Sequence, residues 1–177
     1  MDISIFDVLG PIMIGPSSSH TAGAAKLSRS ARQIAKGEIK HISFGLHGSF
    51  AQTYKGHGTD KALVAGALGL KEYDEGIVNA FELAKQKEIG YDFYKIELDN
   101  VHENTVVMTL TMKDGSVNNI MGSSVGGGQI LITNIDGYEC DLSLQNPTIV
   151  IMQYDKKGIV TQITGIMSEH NINIANM

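Results

Sequence analysis

Residues 15–36 read GPSSSHTAGAAKLSRSARQIAK, three serines and a histidine set between a Gly-Pro pair and an alanine-rich run. Ala24, Leu27, Ala31, Ile34 and Ala35 recur at helical spacing, so the run predicts an amphipathic helix, with Gly37 as its stop. Ser17, Ser18, Ser19 and Thr21 are all competent N-caps, and a helix needs only one. The spare hydroxyls, the free amides and the positive dipole end together have the chemistry of a carboxylate or phosphate site. His20 adds a side chain able to exchange a proton near neutral pH. Two readings stand at this point: a cap in a serine-rich turn, or a cradle for an anion.

Outward from this stretch, HISFGLHG (41–48) alternates like a strand, with Ile42, Phe44 and Leu46 on one face. TDKALVAGALGL (59–70) reads as a helix capped by Thr59 or Asp60, and DEGIVNAFELAKQKEI (74–89) as another with acidic residues at its start. From Tyr94 the pattern turns to strands: YKIEL, TVVMTLTM, SVNNIMGSS, QILITNI and YECDLSL, some joined by the hairpin turns KDGS and IDGY. Helices early and strands late predict an α+β layer fold.

A boundary is expected at Asn146-Pro147, giving a first domain over 1–146 and a second segment over 147–177. The second predicts a strand over Thr148–Gln153 and a helix over Gly158–His170 with Ile159, Ile163, Ile166 and Met167 on one face. A further strand is expected from Asn171 to Ala175.

Three other stretches have chemistry in them. YKGHGTDKA (54–62) repeats the first design, a glycine-rich approach and a histidine ahead of a Thr-Asp cap, and Lys55 and His57 are both able to address an anion. Its plainer reading is a flexible turn. GSSVGGGQI (122–130) is either a hairpin turn or backbone that a ligand approaches closely. It lacks the strand–G-x-G-x-x-G–helix setting of a nucleotide site. In VHENT (101–105), His102 precedes a strand, where a solvated role is the ordinary one. His41, His47 and His170 are assigned no reaction.

Composition sets limits on function. With 42% hydrophobic and 19% charged residues, a packed core is expected instead of disorder. The net charge of -5 and the lack of basic runs argue against nucleic acid as a partner. No apolar run approaches the ~20 residues that cross a bilayer. Met1-Asp2 leads straight into the amphipathic ISIFDVLG, without the features of a secretory leader. Cys140 is the single cysteine, which fits a reducing cytoplasm and cannot hold an iron–sulfur cluster by itself. No zinc-ligand pattern is present, so no metal site is expected in this chain.

Taken together, the motifs resemble those of the β subunit of the iron–sulfur-dependent L-serine dehydratases (L-serine ammonia-lyases), over nearly the whole chain. SIFDVLGPIMIGPSSSHTAGA is similar to that family's N-terminal signature, GSFAQTYKGHGTDKAL to its second glycine motif, HENT to its histidine–asparagine motif and SVGGGQI to its third, in the family's order. Tyr54 stands where a glycine is usual and Glu103 where a proline is common, both beside the key histidines. The resemblance implies an α subunit whose cysteines hold a 4Fe-4S cluster. The cluster, as Lewis acid, takes the serine hydroxyl while a base removes the α-proton, and the aminoacrylate formed hydrolyses to pyruvate and ammonia. It also implies an allosteric-substrate-binding-type fold, a GAPDH C-terminal-like mixed sheet with helices on one side.

His20 is then the catalytic candidate. Ser17, Ser18, Ser19, Thr21, Lys55, His57, Gly58, Thr59, His102, Asn104, Gly126, Gly127 and Gly128 are the candidates for holding L-serine. Residues 148–177, with the DKKG turn and the closing HNINI, look like the start of an ACT (βαββαβ, ferredoxin-like) domain, and the expectation is that the chain stops inside it. Expected partners are the α subunit and L-serine, with a homodimer as a further expectation. The isolated chain is expected to be inactive. The competing reading is a regulatory module that binds L-serine and controls a partner enzyme without entering the chemistry.

Overall fold

The computed structural model describes residues 11–175 and 177. The amphipathic stretch before Pro11 lies outside the described residues. The chain divides between Pro147 and Thr148 into two compact units.

The first unit is α+β. A π-helical turn (Ser18–Gly23) runs directly into α1 (Ala24–Ala35), followed by β1 (Ile39–Leu46), α2 (Gly48–Thr53), α3 (Thr59–Ala67), a 3-10 turn (Glu75–Asn79) and α4 (Ala80–Gln86). Five strands complete it: β2 (Gly90–Lys95), β3 (Thr105–Met112), β4 (Val117–Gly126), β5 (Gln129–Ile135) and β6 (Tyr138–Leu142). The six strands form one sheet in the order β2-β1-β3-β4-β5-β6. Only β1 and β2 run parallel, because three helices and a 3-10 turn carry the chain between them; the other neighbouring pairs are antiparallel.

Period-2 alternation decides which face is covered. Ile42, Phe44 and Leu46 of β1 stand level with Leu110, Met108 and Val106 of β3, and all six are buried. Their alternates Ser43, Val107, Thr109 and Thr111 remain partly exposed. Leu27 of α1 reaches the buried face at Gly122, where a Cβ would meet its side chain. α3 lies against α1 through Gly66, whose missing Cβ admits the Ala25 carbonyl. Helices on one face of a mixed sheet therefore form the architecture.

Several local expectations are corrected. The cap position of α3 is held by Gly58, in the left-handed region at φ 69°, and not by Thr59 or Asp60. The first amides of the helix are engaged: the Thr59 amide donates to the Tyr54 carbonyl at 2.9 Å and the Lys61 amide to Asp60 Oδ1 at 2.8 Å. The helix expected over 74–89 is split, a 3-10 turn started by Asp74 and then α4, because the Asp74 carboxylate takes the Gly76 amide. The strand expected from Tyr94 starts earlier, at Gly90, where pairing with His41 fixes the register. α2 lies inside a glycine-rich stretch that reads as loop.

The second unit has a single helix among its described residues, α5 (Ile159–Glu169), entered through Gly158 at φ 86°. The strands expected over Thr148–Gln153 and Asn171–Ala175 do not form. Among the described residues neither segment joins a sheet, and strand propensity expresses fit to a pleated, half-buried surface. Ile149, Val150, Ile151 and Met152 are exposed, and no residue of α5 is buried.

Candidate functional site

The SSSHT motif folds as a π-helical turn, a rare element that concentrates at functional positions. The Ser17 carbonyl accepts from both the Thr21 amide (2.9 Å) and the Ala22 amide (3.3 Å). Ser17 is the cap: its Oγ accepts the His20 amide at 3.1 Å. Among the described residues, no hydrogen bond engages the hydroxyls of Ser18 and Ser19, which stay partly open to solvent. One hydroxyl closes the helix and two are left over.

The turn sits tightly against the sheet. Gly23 faces Ser124 of β4 so closely that a Cβ would overlap the Ser124 hydroxyl. Among the described residues, Ser124 Oγ, Thr59 Oγ1 and Asn104 Oδ1 are buried with no hydrogen-bond partner. The Ser124 amide donates to the Asn104 carbonyl at 3.0 Å, which joins the HENT and SVGGGQI motifs through backbone.

His20 is half-buried and touches the second glycine motif from two sides. Its ring lies 4.9 Å, centroid to centroid, from that of His57, which faces solvent. Phe50 packs edge-on at 5.3 Å. Nε2 lies 3.0 Å from Ser49 Oγ, and Nδ1 3.5 Å from Ser17 Oγ. Burial, and secondarily the neighbouring His57, lower the His20 pKa below the usual histidine value. A neutral imidazole at pH 7 follows. Thr21 Oγ1 donates to the His57 carbonyl at 3.2 Å and fastens the two loops together.

The remaining candidates are less intimate with the ring. His102 is exposed, and its Nδ1 accepts the Asn104 amide at 3.0 Å. Its carbonyl accepts from Thr105 Oγ1 at 2.6 Å, which in turn meets Ser123 Oγ at 2.7 Å. Lys55 reaches over the Tyr54 ring at 5.8 Å. Gly126, Gly127 and Gly128 all have positive φ and lie at the turn between β4 and β5. Among the described residues, no hydrogen bond or ring contact joins His102, Lys55 or these glycines to the His20 ring. At both departures from the family pattern the backbone is engaged, Tyr54 and Glu103 offering carbonyls to Thr59 and Ser49, and the Tyr54 ring also packs beside Phe93 at 5.7 Å.

Ser49 is the contact that motif reading passes over. It follows a glycine in a stretch rich in glycines, and only the fold places it against His20. A depression of about 310 Å³ opens elsewhere, near Arg32, Glu38 and Lys113, and includes none of the motif residues. Two of its three cations are already committed, Lys113 to Glu38 at 2.7 Å and Arg32 to the Ala67 carbonyl at 3.1 Å; the third is Lys87. The iron–sulfur cluster that the resemblance implies does not fit this chain's donors. Cys140 is the single thiol, and among the described residues no three His, Cys, Asp or Glu side chains converge.

Two neighbouring imidazoles, with unengaged serine hydroxyls in the same turn as His20, have the chemistry to hold an anion and move a proton. Comparison with known proteins gives this arrangement a family. A model of the serine dehydratase beta chain matches residues 4–88. The L-serine dehydratase beta chain of Peptoniphilus asaccharolyticus is 43% identical over 178 residues, covering 99% of this chain and 80% of that protein. The probable L-serine dehydratase beta chain of Bacillus subtilis (strain 168) is 41% identical over 174 residues, covering 98% and 79%. An L-serine dehydratase of Helicobacter pylori (strain J99) is 32% identical over 138 residues, which is 30% of its own length. The chain belongs to the serine dehydratase beta chain family.

Proposed function

We propose that this chain is the β subunit's share of an L-serine dehydratase active site, working with an α subunit that holds a 4Fe-4S cluster. The reaction is α,β-elimination of water from L-serine, followed by hydrolysis of aminoacrylate to pyruvate and ammonia. The observation that carries this reading is the His20–His57 pair beside the unengaged hydroxyls of Ser18 and Ser19. Hydroxyls and dipole at the start of the helical rod bind the substrate carboxylate. His20, neutral at pH 7, is a competent acceptor for the α-proton, and His57 is a second imidazole at the solvent side. The donor count argues that the cluster belongs to the partner, so the isolated chain is expected to be inactive.

We also read the unit before Thr148 as an allosteric-substrate-binding-type domain and residues 148–177 as part of an ACT domain. The mixed sheet with helices on one face supports the first assignment, and α5 entered from the DKKG turn supports the second.

The test is anaerobic reconstitution with the cysteine-bearing α chain and measurement of pyruvate from L-serine. The pair turns over and the β chain alone does not; substantial activity of the isolated β chain overturns the proposal. If instead His20→Ala changes only serine affinity or activation, and not turnover at saturating serine, the chain is a regulatory module.

A further inference from the structure

Ser49 is placed with more care than a spacer needs. Its amide donates to the Glu103 carbonyl at 2.9 Å, and its own carbonyl accepts from Thr53 Oγ1 at 2.8 Å. Preceding Gly48, at φ 53°, lies against the Glu103 backbone where a Cβ would not fit. The backbone of Ser49 is thus clamped independently of the ring that its hydroxyl meets.

The two ring nitrogens of His20 are not equally held. Nε2 is 3.0 Å from Ser49 Oγ, a good hydrogen-bond length, whereas Nδ1 is 3.5 Å from Ser17 Oγ, at the edge of one. Ser17 Oγ is also the acceptor for the His20 amide. In a neutral imidazole one nitrogen donates and the other accepts; with Ser17 Oγ already accepting the His20 amide, its hydroxyl proton is left to face Nδ1, which makes Nε2 the donor toward Ser49 Oγ. No ion pair to a carboxylate involves His20 among the described residues, so no negative charge there favours the doubly protonated ring.

We propose that Ser49 is a positioning residue that accepts the Nε2–H of His20 and leaves Nδ1 as the basic nitrogen, on the side of the Ser17 hydroxyl. The consequence for turnover rests on the serine dehydratase reading; the tautomer itself does not. The lowered pKa of His20, set by burial and then by His57, is in keeping with a ring that stays neutral and singly protonated.

The experiment is nitrogen-15 NMR of the histidine rings in the full 177-residue chain, above the titration range, for the wild type, Ser49→Ala and Ser49→Thr. The expected wild-type ring is protonated at Nε2. Ser49→Ala gives a mixture of tautomers and Ser49→Thr, which keeps the hydroxyl, restores the single form. In the reconstituted pair, Ser49→Ala lowers kcat about tenfold with KM nearly unchanged, and Ser49→Thr recovers it. A wild-type ring protonated at Nδ1, or a tautomer that ignores Ser49→Ala, overturns the proposal. So does an unchanged kcat for Ser49→Ala in an active pair. If the tautomer responds but the wild-type pair turns over no serine, the dehydratase reading fails and the Ser49–His20 assignment stands.

Discussion

The loops SSSHT and KGHGT look like two copies of one device, a histidine ahead of a helix start rich in hydroxyl or glycine. In the fold they are opposites. At SSSHT the cap is supplied by Ser17 and the hydroxyls of Ser18 and Ser19 are left unengaged. At KGHGT the first helical amides are already bonded to the Tyr54 carbonyl and to Asp60, and burial raises the Asp60 pKa. Placing a second carboxylate beside Asp60 is unfavourable. On the proposed reading, what separates an anion site from a closed helix start is which donors are already taken, and a motif does not record that.

The contrast can be broken by mutation. The largest effect is expected at the histidine of the open loop. His20→Ala in the reconstituted pair should cut kcat by about 10²–10⁴ even at saturating serine, the range of a general base. Pyruvate formation followed by stopped assay checks it. Next come the unengaged hydroxyls: Ser18→Ala combined with Ser19→Ala should raise KM about tenfold, the worth of one charge-assisted hydrogen bond, with a smaller effect on kcat. Initial rates against serine concentration separate the two. If Thr59→Val raises KM equally, the two helix starts are not distinct in function.

Smaller effects should appear in stability. Ser17→Ala removes a cap and should cost about 1 kcal/mol in urea unfolding, leaving m unchanged. Thr59→Val deletes a buried hydroxyl that bonds to nothing, so stability should change by less than about 1 kcal/mol and in the favourable direction. His20 adds a pH dependence. Its folded pKa is below its unfolded one, so the unfolded chain binds the extra proton more readily. Stability should fall as pH drops below 6.5, with the loss complete once the folded ring is protonated. His20→Gln should flatten urea midpoints across that window.

Much of the fold is legible because periodicity is a direct print of burial. Ala24 to Ala35 and Ile42 to Leu46 show their buried faces in the spacing of their apolar residues. The glycine-rich stretch hides α2, since a six-residue helix held by tertiary contacts has little pattern of its own. The apolar run at Thr148–Gln153 looks like a strand but makes no ladder, because pairing depends on what lies alongside. At the site, residue types were legible and occupancy was not. Ser17 and His20 can be picked out as chemistry, whereas Ser49 depends on a contact 29 positions away. The buried Asn104 Oδ1 and Thr59 Oγ1 are likewise products of packing.

The π-helical turn sets an angular offset between two faces of one rod. Each residue of an α-helix advances about 100°, so a turn wound with one extra residue rotates everything before it relative to everything after. Leu27 and Ala31 are anchored in the core, which makes them the fixed end. Deleting one residue between Ser18 and Gly23 would let the rod close as ordinary α-helix. His20 would then swing by roughly a quarter turn away from Ser49 and His57, and the buried Thr21, Ala22 and Gly23 would be disturbed with it, while Leu27 and Ala31 hold the rest of the rod in place. The phase of the helix, more than the identity of any one side chain, keeps the imidazole aimed.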